Sequence, residues 1–345
     1  MSKLHHIVLP AGVTEQITDI EEDLLSSNQF IFSTTSSILT FNFDTNGLEK
    51  IVGKTTEHSY REALGSDARF QKITGFTHAD KNTLLVVDGG ANCIREVNKR
   101  SLKTSVFFGT CLSRQPVPPI LNTSKIVADR SAGVYYTSFS GDVYRIWLNK
   151  SAEVIASNYE YGALVAMTLD ITFNNLYMFT HFDKLIKLNV NDRMITELKN
   201  GSPIGFRDGP LANSLFNFPE SLKFINADTM LVADSTNNRL RVISEEVVSS
   251  ICNNDYYGSL TGNISTCFVD QASAIGYIPG KSAVIVGSNG GLYILCLRNS
   301  KYLQPNILTT LNTKTLMSNE FPGNYSEHNF FKQKYVGSSF SNIQN

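Results

Sequence analysis

Short apolar runs recur along the chain in pairs, each pair split by a turn containing Gly, Asp, Asn or Ser. Phe30-Ile31-Phe32 pairs with Ile38-Leu39-Thr40-Phe41, and Leu84-Leu85-Val86-Val87 with Ile94-Arg95-Glu96-Val97. Val134-Tyr135-Tyr136 precedes Val143-Tyr144-Arg145-Ile146, and Leu176-Tyr177-Met178-Phe179 precedes Leu185-Ile186-Lys187-Leu188. Met230-Leu231-Val232-Ala233 with Leu240-Arg241-Val242-Ile243, and Ala283-Val284-Ile285-Val286 with Leu292-Tyr293-Ile294-Leu295, complete the set. Each pair predicts a β-hairpin. The units begin near 30, 84, 134, 176, 231 and 283, in steps of about 54, 50, 42, 55 and 52 residues, which is room for four short strands. Helical periodicity is nearly absent; the best helical stretch, Thr18–Leu25, spans barely two turns.

Runs such as Leu-Val-Val place apolar side chains on both faces of a strand. One small sheet of this kind would leave apolar surface and two edges in water. Six sheets packed face to face around an axis bury both faces of every sheet. The expected fold class is therefore all-β, a six-bladed propeller of four-stranded blades over residues 1–312. Residues 313–345 break the repeat, and their aromatic stretch from Phe330 to Phe340 reads as an extension, docked or mobile.

Two segments carry a sharper signature. Asp88 and Arg95 are spaced by seven residues, as are Asp234 and Arg241. Asp208-Gly209 and Ala212, spaced D-G-x-x-A, then Phe216 with Pro219, then Asp234, Asn237, Arg239 and Arg241 resemble the opening D-G, the F-x-x-P and the D-x-x-N-x-R-I-R elements of the NHL repeat. The 63–97 copy keeps Ala68, Phe70, Asp88, Ile94 and Arg95 but has Ala91 and Cys93 where the pattern has Asn and Arg, and lacks the Pro. The resemblance is strong over about 75 residues and implies a six-bladed propeller, in agreement with the count of units. A signature repeated in separate blades reads as scaffold: Asp88 and Asp234 satisfying turn amides, Arg95 and Arg241 bridging neighbouring sheets.

The 30 basic and 31 acidic residues give a formal net charge of −1, which excludes a globally basic nucleic-acid binder. No unbroken apolar run of 18 residues exists, so no spanning helix is expected, and the first residues show no secretory leader. Five N-x-S/T sequons, at Asn122, Asn149, Asn200, Asn263 and Asn324, match the number expected by chance and say nothing about compartment. Of five cysteines, Cys252 and Cys267 flank a loop-like segment, and a bridge there would contribute about 3 kcal/mol. The expectation is that these two are bonded and that Cys93, Cys111 and Cys296 are free. That bridge argues for an extracellular or lumenal setting; the competing reading is a cytosolic protein with five thiols.

Chemistry is sparse. G-x-S-x-G, the P-loop and H-x-x-x-H are all missing. Asp88-Gly89-Gly90-Ala91-Asn92 reads as a hairpin turn, and Asn98-Lys99-Arg100 as a solvated turn. No catalytic or cofactor-binding residue is assigned. Some six-bladed enzymes resembling lactonases or amidating lyases hold calcium or zinc at the axis, and the innermost segments here offer His78, Asp170 and Glu220. The first functional reading is a non-enzymatic scaffold or ligand-presenting ectodomain with a protein partner. The alternative is a metal-dependent (Ca or Zn) hydrolase or lyase with its site at the channel mouth. An RNA-binding NHL domain is third, without the basic excess such binding needs.

Overall fold

The computed structural model describes residues 4–7, 15–112, 125–139, 142–157, 163–181, 183–201, 203–251, 269–288 and 291–296. Among them are six antiparallel sheets, three single-turn 3₁₀ helices and no α-helix. Strand β1 (Leu4–Ile7) stands apart at the start. Blade 1 is β2 (Ile17–Glu22), β3 (Gln29–Thr34), β4 (Ser37–Asn42) and β5 (Gly47–Gly53). Blade 2 is β6 (Ile73–His78), β7 (Thr83–Asp88), β8 (Cys93–Asn98) and β9 (Thr104–Phe108). Blade 3 is β10 (Ile126–Asp129), β11 (Val134–Phe139), β12 (Asp142–Trp147) and β13 (Ala152–Ala156). Blade 4 is β14 (Leu164–Leu169), β15 (Asn175–Thr180), β16 (Leu185–Asn189) and β17 (Ile195–Lys199). The short β18 (Gly209–Pro210) edges blade 5, which is β19 (Pro219–Phe224), β20 (Thr229–Asp234), β21 (Arg239–Ser244) and β22 (Val247–Ile251). Blade 6 is β23 (Ala274–Ile278), β24 (Ala283–Ser288) and β25 (Gly291–Cys296), with β1 as its fourth strand.

Alternation of side chains explains the ring. Leu84 and Val86 of β7 pack with Ile31 and Ile38 of blade 1, whereas Leu85 and Val87 pack with Tyr135 and Ile146 of blade 3. In β20, Met230 and Val232 face blade 4, and Leu231 and Ala233 face blade 6. Each of six buried clusters joins two neighbouring blades, and the cluster of Ile17, Ile20, Phe30 and Phe32 with Ile285 and Leu292 joins the sixth blade to the first. The first strands of successive blades lie side by side around the axis, with β23 against β2. At that seam Gly276 is required, because an added Cβ would come within 2.5 Å of Ile20 Cγ2.

Closure comes from the far end of the chain. Leu4, His5, His6 and Ile7 pair antiparallel with Leu295, Ile294, Tyr293 and Leu292. This strand covers the outer edge of β25, an edge that would otherwise stand open.

Three expectations are corrected. Thr18–Leu25 is not helical: Ile17–Glu22 is the innermost strand of blade 1, because Ile17 and Ile20 are wholly buried and β3 supplies its ladder partners, more than two isolated turns could secure. Lys99 is not solvated; its ammonium lies 2.6 Å from Asp23, both side chains being 5% exposed. Cys93 and Cys111 are not free but bonded to each other, with Cα atoms 4.9 Å apart. The bridge staples the segment after β9 to the start of β8, and a loop of 18 residues is worth about 3 kcal/mol in the chain-entropy account. Cys252, Cys267 and residues 313–345 lie outside the described residues.

Candidate functional site

The repeated Asp and Arg residues form two superposable clusters at a constant offset of 146 positions. In blade 5, Arg241 is wholly buried and its Nη1 donates to Asp234 Oδ2 (2.6 Å) and to Leu215 O (3.0 Å). Its Nη2 donates to Arg207 O (2.8 Å) and Asp208 Oδ1 (2.7 Å), and Nε to Asp208 Oδ1 (3.1 Å). Rings of Phe206 and Phe216 flank the guanidinium at 4.9 and 4.7 Å. Arg95 repeats this with the carbonyls of Arg61 and Arg69, Asp88 Oδ2 at 3.4 Å, and the rings of Tyr60 and Phe70. Asp88 accepts the N–H groups of Gln71 and Lys72, and Asp234 that of Asn217. Both arginines thus hold the segment that enters their own blade, not a neighbouring sheet.

The copies differ at one place. The position of Asp208 is Glu62 in blade 2, which accepts from Tyr60 Oη (2.6 Å) and leaves buried Arg95 Nε without a partner. Asn237 Nδ2 bonds Gly205 O and Asp234 Oδ2, while Arg239 lies over Phe206. Cys93 stands where Arg239 does, so the disulfide replaces an arginine contact in the weaker copy.

The axis itself is polar. A small cavity of about 30 Å³ is lined by Asp19 and Glu21 of β2, Lys125, Thr168 of β14, and Glu220, Ser221 and Lys223 of β19. Lys125 Nζ crosses to Thr18 O (2.9 Å) and sits beside Asp19. Asp19 accepts the N–H of Phe76 on blade 2 (3.0 Å) and its neighbour Ile20 N–H (2.9 Å). Gly75 makes room for this arrangement: a Cβ there would lie 3.2 Å from Asp19 Oδ2 and 3.4 Å from Lys125 Cδ. Glu220 Oε2 accepts from Gln16 Nε2 (2.9 Å), Glu21 Oε1 from Thr77 Oγ1 (3.2 Å), and Ser221 Oγ from Ile275 N (3.1 Å). Burial pushes the Glu220 carboxyl up, opposed by Lys125 and its hydrogen bonds. Lys125 and Lys223 line the same cavity as these carboxylates, so the axis carries both signs of charge.

The three sequence-selected channel residues are not brought together. Glu220 lines the axis. His78 is wholly buried; its Nε2 lies 2.9 Å from Glu22 O and therefore carries the proton, Nδ1 has no partner, and burial lowers its pKa. Asp170 sits in the β14–β15 hairpin, accepting from Asn174 N, Asn175 N, Thr172 Oγ1 and Asn175 Nδ2. Among the described residues, no three His, Cys, Asp or Glu side chains converge as a metal site. Asp19, Glu21, Lys125 and Lys223 carry no repeated residue type, although Glu21 and Lys223 hold the same place in β2 and β19; the polar alternation Asp19-Ile20-Glu21 is the available signal, and it reads as strand only once helix is set aside.

Asp19 provides a pH test. Burial pushes its carboxyl from 3.8 to about 6 against the pull of Lys125. A raised acid pKa means the folded state holds the proton more tightly than the unfolded chain, so this contribution is present at low pH and lost between about 4 and 6. Asp19→Asn should gain stability on the wild type across that window, by up to about 3 kcal/mol. Urea denaturation at pH 4 and pH 7 measures it; an unchanged difference between the two proteins would refute the assignment.

No family model matches this chain, and no curated protein matches it. Solved structures do. An auxiliary nutrient binding protein from Bacteroides thetaiotaomicron VPI-5482 is 9% identical over 86% of this chain and 76% of that one, with a TM-score of 0.67. One from Bacteroides ovatus ATCC 8483 is 11% identical over 85% and 76%, with a TM-score of 0.66. Streptogramin B lyase is 10% identical over 86% and 98%, with a TM-score of 0.55. At such identities the likeness supports the propeller fold and nothing finer. No helix among the described residues is long and apolar enough to cross a membrane.

Proposed function

We propose that this protein is a non-enzymatic propeller of NHL-repeat type that presents loops to a protein partner in an oxidising compartment. The carrying observation is the axis, where Asp19, Glu21, Glu220 and Lys125 each hold a hydrogen bond with a group of this chain, leaving no paired acid and base poised for a substrate among the described residues. The two motif clusters with their 146-residue offset support the NHL assignment. The Cys93–Cys111 bridge supports the oxidising setting and replaces the Cys252/Cys267 argument.

Around the 235–238 turn of blade 5 the surface is apolar and aromatic: Ile204 is 55% exposed, Phe206 45% and Phe218 40%. Phe218 holds a φ of 53°, a strained conformation for an aromatic residue, with its ring against His181 at 5.0 Å. Apolar groups presented beside Arg207 and Arg239 suit a protein contact. The test has two arms. Metal analysis after exposure to calcium and zinc should find no stoichiometric uptake; one bound ion per chain would favour the hydrolase or lyase reading. A partner captured by wild-type protein should be lost at least about tenfold with Ile204→Asp, and full retention would move the contact elsewhere.

A further inference from the structure

A second concavity lies on the rim between blades 3 and 4, about 290 Å³ in volume. Trp147 of blade 3 and Phe173 of blade 4 form its aromatic walls over the buried Tyr136, with Arg145 between them and Asn174 and Asn191 at the lip. Each wall is held. Arg145 Nη1 donates to Glu153 Oε1 (3.0 Å) and Nη2 to Val190 O, while the rings of Tyr136 and Trp147 lie 5.7 and 5.9 Å from the guanidinium carbon. Its Nε is buried with no partner. Phe173 is 39% exposed and held at a φ of 58°, where a bulky residue is strained. The Asp170 carboxylate holds that hairpin through Asn174 N and Thr172 Oγ1 (both 3.0 Å) and Asn175 Nδ2 (2.8 Å). Asn191 Nδ2 donates to Asn174 Oδ1 and Asn174 Nδ2 to Thr172 Oγ1 (both 3.1 Å), which leaves one N–H on each amide and Asn191 Oδ1 available at the lip.

Aromatic faces with neutral amides and one tethered guanidinium match a ring that is apolar on its C–H face and hydroxylated at its edge. Glu153 is shared by Arg145 and Arg193, and Asp129 lines the same groove, so the charges there balance and an anion gains no net attraction. The volume is at the small end for ligand sites, enough for one ring. We propose that this groove binds a single neutral pyranose ring, as a free sugar or as the terminal residue of a glycan.

Trp147 is the only tryptophan in the chain, so its emission reports this site alone. Intact protein is titrated with the methyl glycosides of glucose, galactose, mannose and N-acetylglucosamine, and separately with a glycoprotein carrying them. A saturable change in Trp147 emission with at least one ligand is expected, weakened at least about tenfold in Asn191→Ala and Phe173→Gly. Glycine relieves the positive φ, so Phe173→Gly should fold. Response to a methyl glycoside identifies a free-sugar site, and response to the glycoprotein alone identifies a glycan site. Absence of a saturable change with every ligand up to about 50 mM, well beyond the millimolar range of weak sites, overturns the proposal. So does a change that both variants retain. Ile204→Asp should leave the response intact, so failure here and failure at the blade 5 patch are separate results.

Discussion

Replacing Arg241 by alanine is expected to cost about 3–5 kcal/mol, the scale for removing one partner of a buried ion pair. Asp234 is wholly buried and would lose its 2.6 Å guanidinium contact. Asp208 would lose two further hydrogen bonds, and the carbonyls of Arg207 and Leu215 would lose their donor. Lysine cannot rescue the site, because its single ammonium cannot meet two carboxylates and two carbonyls in one plane. Arg95→Ala provides the internal comparison. Its Asp88 contact is longer, at 3.4 Å, and its Nε is already unpartnered, so its loss should be smaller by about 1–2 kcal/mol. Urea denaturation of both variants measures the order. Equal losses would refute the order, and an Arg241→Ala protein as stable as the wild type would show that the cluster contributes nothing to stability.

Deleting residues 1–7 is expected to open the ring. The deletion removes four paired positions along β25 and bares the edge that presents Leu292, Tyr293, Ile294 and Leu295. Four paired positions at about 1 kcal/mol each put the loss at about 4 kcal/mol. The bared edge should also make the protein associate with itself. Thermal unfolding and light scattering read the two effects, and a synthetic peptide of residues 1–10 should restore part of the stability in trans. A truncated protein that melts with the wild type and stays monodisperse would remove β1 from the closure of the ring.

Much of the fold is legible along the chain, because it rests on local patterns. Residues such as Leu84, Leu85, Val86 and Val87 show by themselves that a strand is apolar on both faces, and a both-faced strand has few ways to be buried. The spacing of Asp88 to Arg95 and of Asp234 to Arg241 marks the two clusters before any contact is seen. What misled was local ambiguity: Thr18–Leu25 satisfies a helical pattern as well as a strand pattern, and only the pairing of β2 with β3 and the burial of Ile17 and Ile20 decide between them.

The amino-acid sequence alone determined the all-β class, the six units and the two Asp–Arg clusters, since each is written in neighbouring residues or in a repeated spacing. Tertiary structure decided the rest. Cys93 met Cys111 rather than remaining a buried thiol, because the segment after β9 returns to the start of β8. Asp19, Lys125 and Glu220 became one axial group, and Trp147 and Phe173 one groove, only because the ring places different blades beside each other. Strand β1 joined β25 across nearly the whole chain. Such encounters join positions that share no period, so no local pattern announces them; they follow from the closed geometry that buries every blade's second face.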